Sequence, residues 1–272
     1  MPSASLTATT TTPPLPAPDA DRRSAPTLPL PFFEPLRRMP AMEKANPDLS
    51  RLKGKIITID GPAGSGKSTT ARSLAEKLGY RYLDTGAMYR ALTWYALDHG
   101  VDPADEPQLA AIAKNVSLEL NADRVLIDGV DVTREIRSRE VTLLVSQVSA
   151  HKRVREAMVA RQRRLARGGS VVAEGRDMAT VVFPNADLKI YLDADVNQRA
   201  RRRLLDLERM GIQSTLEDQV KDIIRRDQYD SRRTHSPLTK TDDAVTVDTT
   251  DLSIDGQVNR IIELVRSLAE RS

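Results

Sequence analysis

Gly61-Pro62-Ala63-Gly64-Ser65-Gly66-Lys67-Ser68-Thr69 has the spacing G-x-x-x-x-G-K-[ST], which wraps backbone around a phosphate. Glycines let the chain turn so that several N–H groups point inward at one anion. A helix that follows offers its positive N-terminal end to the same charge. In such a loop Lys67 reaches the β- and γ-phosphates of a nucleoside triphosphate, and the Ser68 hydroxyl ligates Mg²⁺. The flanks fit this chemistry. Ile56-Ile57-Thr58-Ile59-Asp60 is a short β-branched run that reads as a buried strand. Residues 68–78 carry Ala71, Leu74, Ala75 and Leu78 at helical spacing, and Gly79 stops them. A glycine-rich turn with a solvated lysine needs no such context.

A triphosphate site leaves the acceptor unnamed. Four basic constellations bear on it. They are Tyr89-Arg90, Arg153 with Arg155, Arg176-Asp177, and Arg226 with Asp230 and Arg233. Any one alone reads as a solvated helix face or an i,i+4 ion pair. Four of them at strand ends and helix starts of one sheet point to a ligand, because ligands bind beyond the carboxyl ends of such strands. The planar arginine fork suits phosphate and carboxylate, so an acceptor that is itself a phosphate accounts for the arginines.

The elements that must position these residues alternate between strand and helix from Lys55 onward, which predicts a mostly parallel α/β sheet. Five parallel-type strands are expected at 56–60, 81–84, 171–174, 188–193 and 244–248. Helices are expected at 86–99, 109–113, 140–150, 153–167, 197–210, 215–227 and 254–268, with Ser214 as a cap candidate and Gly211 closing the arginine-laden one. Residues 116–120 and 124–127 alternate apolar and polar across Asn121-Ala122-Asp123, and 130–132 offers a third strand. These read as a small antiparallel subdomain inserted into the parallel rhythm.

Composition narrows the class. The chain of 272 residues is long enough for one large α/β domain or two small ones. A formal net charge of +3 does not call for nucleic acid, and the 4% of aromatic residues leaves few rings to stack bases. With no cysteine, disulfides and thiolate metal sites are excluded. No run approaches the length of a transmembrane helix, so a cytoplasmic enzyme without a membrane partner is expected. Residues 1–52 are expected to form a disordered Pro/Thr-rich extension. Their first fifty hold 11 of the 16 prolines and no glycine, and cannot bury enough apolar area to offset ordering entropy. They lack the basic start and apolar core of a secretory signal, and Met39 and Met42 are alternative starts.

Beside the loop, four collinear segments resemble the bacterial cytidylate kinases. They are Asp84-Thr85-Gly86-Ala87-Met88-Tyr89-Arg90, residues 146–155, residues 174–184, and residues 226–233 with Ser236-Pro237-Leu238 close behind. The resemblance covers about Lys55 to the C-terminus and leaves the proline-rich tail out. It implies a three-layer nucleoside-monophosphate kinase fold of the P-loop type, here a domain over 53–272. The core would be 53–85, 168–196 and 236–272, the acceptor-binding region about 86–167, and a short helical lid about 197–213. It implies transfer from MgATP to CMP or dCMP, giving ADP and CDP or dCDP, by a monomer. Carried over, Ser146, Arg155 and Asp177 read the cytosine, and Tyr89, Arg226 and Asp230 hold the ribose. Arg90, Arg176 and Arg233 clamp the acceptor phosphate. Thr85 stands where some relatives have serine. On the lid, Arg202 and Arg203 are expected at the ATP phosphates, with Arg199 and Arg201 solvated. A loop kinase for another acceptor (UMP, shikimate, a nucleoside) shares the first motif, as does a nucleic-acid-binding switch.

Overall fold

Each change from strand to helix along the chain has a local cause. In the computed structural model, residues 53–121, 123–209 and 211–271 are described, all within one unit spanning Ala45–Ser272. The second unit, Met1–Lys44, and the expected disordered extension over 1–52 lie outside the described residues.

Strand β1 (Ile56–Asp60) runs into the glycine loop, and helix α1 (Lys67–Leu78) follows, ended by Gly79 at φ 66°. Next come β2 (Arg81–Asp84) and α2 (Thr85–Asp98), which starts where the Asp84 carboxylate accepts the Ala87 N–H at 2.8 Å. Helix α3 (Glu106–Asn115) is capped by Asp105. It leads into a hairpin of β3 (Leu118–Leu120) and β4 (Val125–Ile127), extended by β5 (Val130–Asp131). After a 3₁₀ turn at Glu135–Arg137 come α4 (Arg139–Val148) and α5 (Lys152–Leu165). Strand β6 (Val171–Gly175) gives way to a π-helical turn, Met178–Val182, and then to β7 (Leu188–Asp193). Helices α6 (Val196–Arg209) and α7 (Leu216–Arg232) precede β8 (Val245–Asp248) and α8 (Ile254–Arg271).

The expected five-stranded parallel sheet forms, in the order β2-β6-β1-β7-β8, and β3-β4-β5 form a separate antiparallel sheet. The register pairs Ile59 with Glu174, Asp84 with Glu174, and Asp60 with Gly175. The carboxyl ends of three strands therefore meet at one place. Side chains alternate across the sheet. Val171 and Ala173 face a core built with Met88, Leu92, Leu109, Ile127 and Met158. Val172, Ile57 and Ile190 face a second core with Leu74, Val258 and Ile261. Apolar burial on both faces makes the strands near-continuous hydrophobic runs.

One boundary differs in a way that matters. Helix α7 runs five residues beyond the expected Asp227, and its cap is Thr215, which accepts the Asp218 N–H at 3.1 Å, rather than Ser214. The extra turn keeps Arg226 and Asp230 on one helical face. Among the described residues no helix is long and apolar enough to cross a membrane.

Ile190 is fully buried and paired between Ile59 and Val245. Ile190→Ala is expected to cost about 2–5 kcal/mol through lost burial and a cavity. A urea titration should show a lower midpoint with an unchanged slope.

Candidate active site

Gly61, Gly64 and Gly66 adopt φ of 150°, 77° and 89°, which only glycine reaches without strain. At Gly61 a Cβ would fall 2.1 Å from the Leu192 carbonyl oxygen, so the loop must cross β7 bare. Lys67 folds back and donates from Nζ to the Pro62 carbonyl at 2.6 Å. The Ser65 hydroxyl donates to the same oxygen at 3.1 Å. Lys67 is buried, and burial first, then the charges of Arg176 and Arg226, push its pKa well below the usual lysine value. The charges of Glu174 and Asp60 act in the opposite sense.

Two carboxylates at strand ends shape its floor, and neither drew a role from the sequence. The Ser68 hydroxyl donates to Glu174 Oε2 at 2.9 Å, and the Tyr82 hydroxyl donates to Oε1. Burial pushes Glu174 up to about 7, with the charge of Asp84 adding to the effect. Asp60 accepts the Met178 and Ala179 N–H groups at 2.9 and 2.8 Å and so holds the π-helical turn that follows Asp177. Burial raises it to about 6 despite those two donors. The signal was available: each is an acidic residue closing an otherwise apolar strand beside the loop.

The acceptor residues fall into two groups. Arg155 on α5 donates to Asp177 Oδ2 and to the Ser149 carbonyl, and its guanidinium lies 5.4 Å over the Tyr89 ring. Ser146 sits one turn before Ser149 on α4, half-buried. Arg233 donates to the Ser236 carbonyl at 2.6 Å, and its charge is felt with those of Arg155, Asp177 and Asp230. In the second group, Arg176 Nε donates to Asp230 Oδ2 at 2.9 Å, and Arg226 Nε lies 3.9 Å from the same oxygen. Arg90 donates to the Ile136 carbonyl at 3.2 Å and to the Thr142 hydroxyl at 3.0 Å. Thr85 is buried and gives its proton to the Glu174 carbonyl at 2.6 Å, tying α2 to β6. Burial and neighbouring arginines lower Arg90 to about 9 and Arg226 to about 10.

The arginines of α6 part company. Arg203 bears on both Arg90 and Arg226, so it faces the arginine-lined cleft. Arg202 donates to the Thr249 carbonyl and hydroxyl. Arg201 is exposed, as expected. Arg199 corrects the expectation of a solvated side chain. It is 7% exposed and donates to the Ala194 and Ala63 carbonyls at 3.0 Å each and to Asp227. A run of arginines gives no sign of which one turns inward. Here the glycine loop supplies the unpaired carbonyl that draws it in.

A phosphate-cradling loop thus opens beside a cleft lined by half-buried arginines, an arrangement suited to bringing two anions together and moving a phosphoryl group between them. The family model described as cytidylate kinase matches residues 57–267. The chain is 52% identical to the cytidylate kinase of Geobacillus sp. (strain WCH70), over 77% of this chain and 95% of that one. It is 46% identical to the cytidylate kinase of Halalkalibacterium halodurans, over 79% and 99%. Among solved structures it is similar to shikimate kinase from Acinetobacter baumannii in complex with shikimate, at 17% identity and a TM-score of 0.41, over 81% and 98%.

Glu174 holds its proton more tightly when folded, at about 7, than in the unfolded chain, where a glutamate titrates near 4.3. Between those values the folded state binds more protons, so stability falls as pH rises from about 5 to about 7. Glu174→Gln is expected to flatten part of that fall. Thermal midpoints across the range check it, and an unchanged slope would show that Glu174 is not the titrating group.

Proposed function

Since the chain belongs to the cytidylate kinase family, a phosphotransferase that moves the γ-phosphoryl of ATP to CMP or dCMP, we propose roles for its residues from that premise. The observation that carries the assignment is the meeting of buried Lys67 with half-buried Arg176 and Arg226, with Arg176 next in sequence to the Asp177 that pairs with Arg155. Residues 61–69 cradle the triphosphate, with Lys67 neutralising the β- and γ-phosphates. Arg90, Arg176 and Arg233 hold the acceptor phosphate, and Arg203 closes over the junction from α6. Tyr89, Arg226 and Asp230 position the ribose. Arg202, held by Thr249, orders the donor side.

Asp177, Arg155 and Ser146 read the base. A carboxylate and a hydroxyl accept from the exocyclic amino group of cytosine. Uracil presents a carbonyl there, which leaves those acceptors unpaired. The attacking group is a phosphate oxygen, already anionic near neutral pH, so no side chain has to remove a proton. Catalysis then rests on alignment and charge neutralisation by Lys67 and the arginines. The Ser68 hydroxyl and the Glu174 carboxylate, 2.9 Å apart, are hard oxygen donors that suit Mg²⁺. Bound there with ATP, the ion neutralises phosphate charge. We read the enzyme as a cytoplasmic monomer that takes small-molecule substrates and no nucleic acid. The modest net charge of +3 supports that reading.

Two outcomes test these roles. Lys67→Ala is expected to lower kcat by about a hundredfold or more, the scale for losing one transition-state donor, with the melting profile kept. Near-normal turnover would remove the loop from catalysis. Asp177→Asn is expected to raise KM for CMP about tenfold while KM for ATP stays within about twofold, and to narrow the preference for CMP over UMP. Coupled ADP-release rates with CMP, dCMP, UMP and shikimate supply these numbers, and equal losses for CMP and ATP would take Asp177 out of the acceptor site.

A further inference from the structure

Arg199 and Asp227 treat one residue of the phosphate loop as a strand would treat its neighbour. Asp227 Oδ1 accepts the Ala63 N–H at 3.2 Å, and Arg199 Nη1 donates to the Ala63 carbonyl at 3.0 Å. The two side chains are joined through Arg199 Nη1 and Asp227 Oδ2. Both polar groups of the Ala63 peptide are thereby satisfied by a single ion pair. Arg199 is fixed at its other nitrogen, where Nε donates to the Ala194 carbonyl at 3.0 Å. Gly64 is pressed against it: a Cβ there would lie 3.1 Å from both the Cβ and the carbonyl oxygen of Arg199. The loop tip has no room to drift toward α6.

Asp227 also stands at a junction. Arg226 and Asp230, its neighbours on α7, face Lys67 and Arg176 on the acceptor side. One residue on, about 100° around the helix, Asp227 faces the donor loop. Helix α7 therefore touches both pockets within one turn, and α6 packs along it.

We propose that Arg199 and Asp227 are a positioning pair that sets the tip of the phosphate loop for ATP and ties it to the helix that carries the acceptor residues. The pair touches the loop backbone and no reacting atom. Breaking it frees Ala63 and loosens the donor pocket, while Arg155, Asp177 and Tyr89 keep their places. The inference rests on the reading of residues 61–69 as the ATP loop.

The test is a double-mutant cycle with Asp227→Asn and Arg199→Gln in the full chain. Each single variant is expected to raise KM for ATP, and Kd for a non-hydrolysable ATP analogue, about tenfold. KM for CMP should stay within about twofold. The double variant should be no worse than the worse single, since both changes break one unit. Additive losses, equal losses for ATP and CMP, or no loss in either single would overturn the pairing. If thermal melting shows that Asp227→Asn does not fold, Arg199→Lys gives the same readout. It keeps the charge but cannot reach Ala63 and Asp227 together, so an unchanged ATP affinity overturns the proposal. Wild-type enzyme without CMP-dependent ADP release would instead fault the kinase reading, which separates the two failures.

Discussion

Crowding of positive charge is the constraint on which the rest of this structure depends. Buried Lys67 and half-buried Arg176 and Arg226 lie within each other's fields, and Arg90 and Arg203 extend the patch. Two unit charges about 4 Å apart repel by about 4 kcal/mol at an effective dielectric near 20. The pKa values of Lys67, Arg90 and Arg226 are lowered by burial first and by that repulsion second. Asp230 offsets part of it, taking Arg176 at 2.9 Å and Arg226 at 3.9 Å through one oxygen. The remainder is a standing demand for a polyanion. A triphosphate and a nucleoside monophosphate together answer it, each neutralising part of the positive charge.

Such a patch persists only on a rigid frame. The parallel sheet supplies one, because its register fixes Asp60, Asp84 and Glu174 at adjacent strand ends. Each carboxylate is then used locally. Asp84 caps α2, which carries Tyr89 and Arg90. Asp60 caps the π-helical turn after Arg176 and Asp177. Glu174 meets Ser68 at the head of α1. Donor and acceptor residues thus hang from three strands that are hydrogen-bonded side by side. Burying Asp60 and Glu174 raises both pKa values, a stability cost that places them where the chemistry occurs.

Much of this was legible in the residues. The glycine loop between a β-branched strand and an amphipathic helix is a local pattern, and α1 follows it to the residue at Gly79. The antiparallel insert was visible as alternation around Asn121, and β3, β4 and β5 form there. What stayed hidden was decided between segments distant in sequence. Arg199 is drawn inward by a carbonyl 136 positions away, which no reading of a basic helix foretells. Glu174 looked like the end of a buried strand because its partners, Ser68 and Tyr82, are brought to it only by the sheet. The expected end of α7 at Asp227 falls short because residues 226–233 offer only Tyr229 as an apolar sign of a continuing helix. Tertiary contacts of Asp227 and Asp230 carry it on to Arg232.

The cleft also holds polar groups in a different state. The Tyr89 hydroxyl, Arg155 Nε, Arg226 Nε and Arg233 Nη2 are buried without a well-formed hydrogen bond. A buried polar group left unmatched costs about 1–3 kcal/mol. Two of them sit on residues that other bonds hold in place. Arg155 is fixed by Asp177 and Ser149, and Arg233 by Ser236. The unmatched donors of Arg155 and Arg233 are therefore held where they stand. A ligand that meets all of them recovers that cost on binding, while one that meets only some leaves it standing.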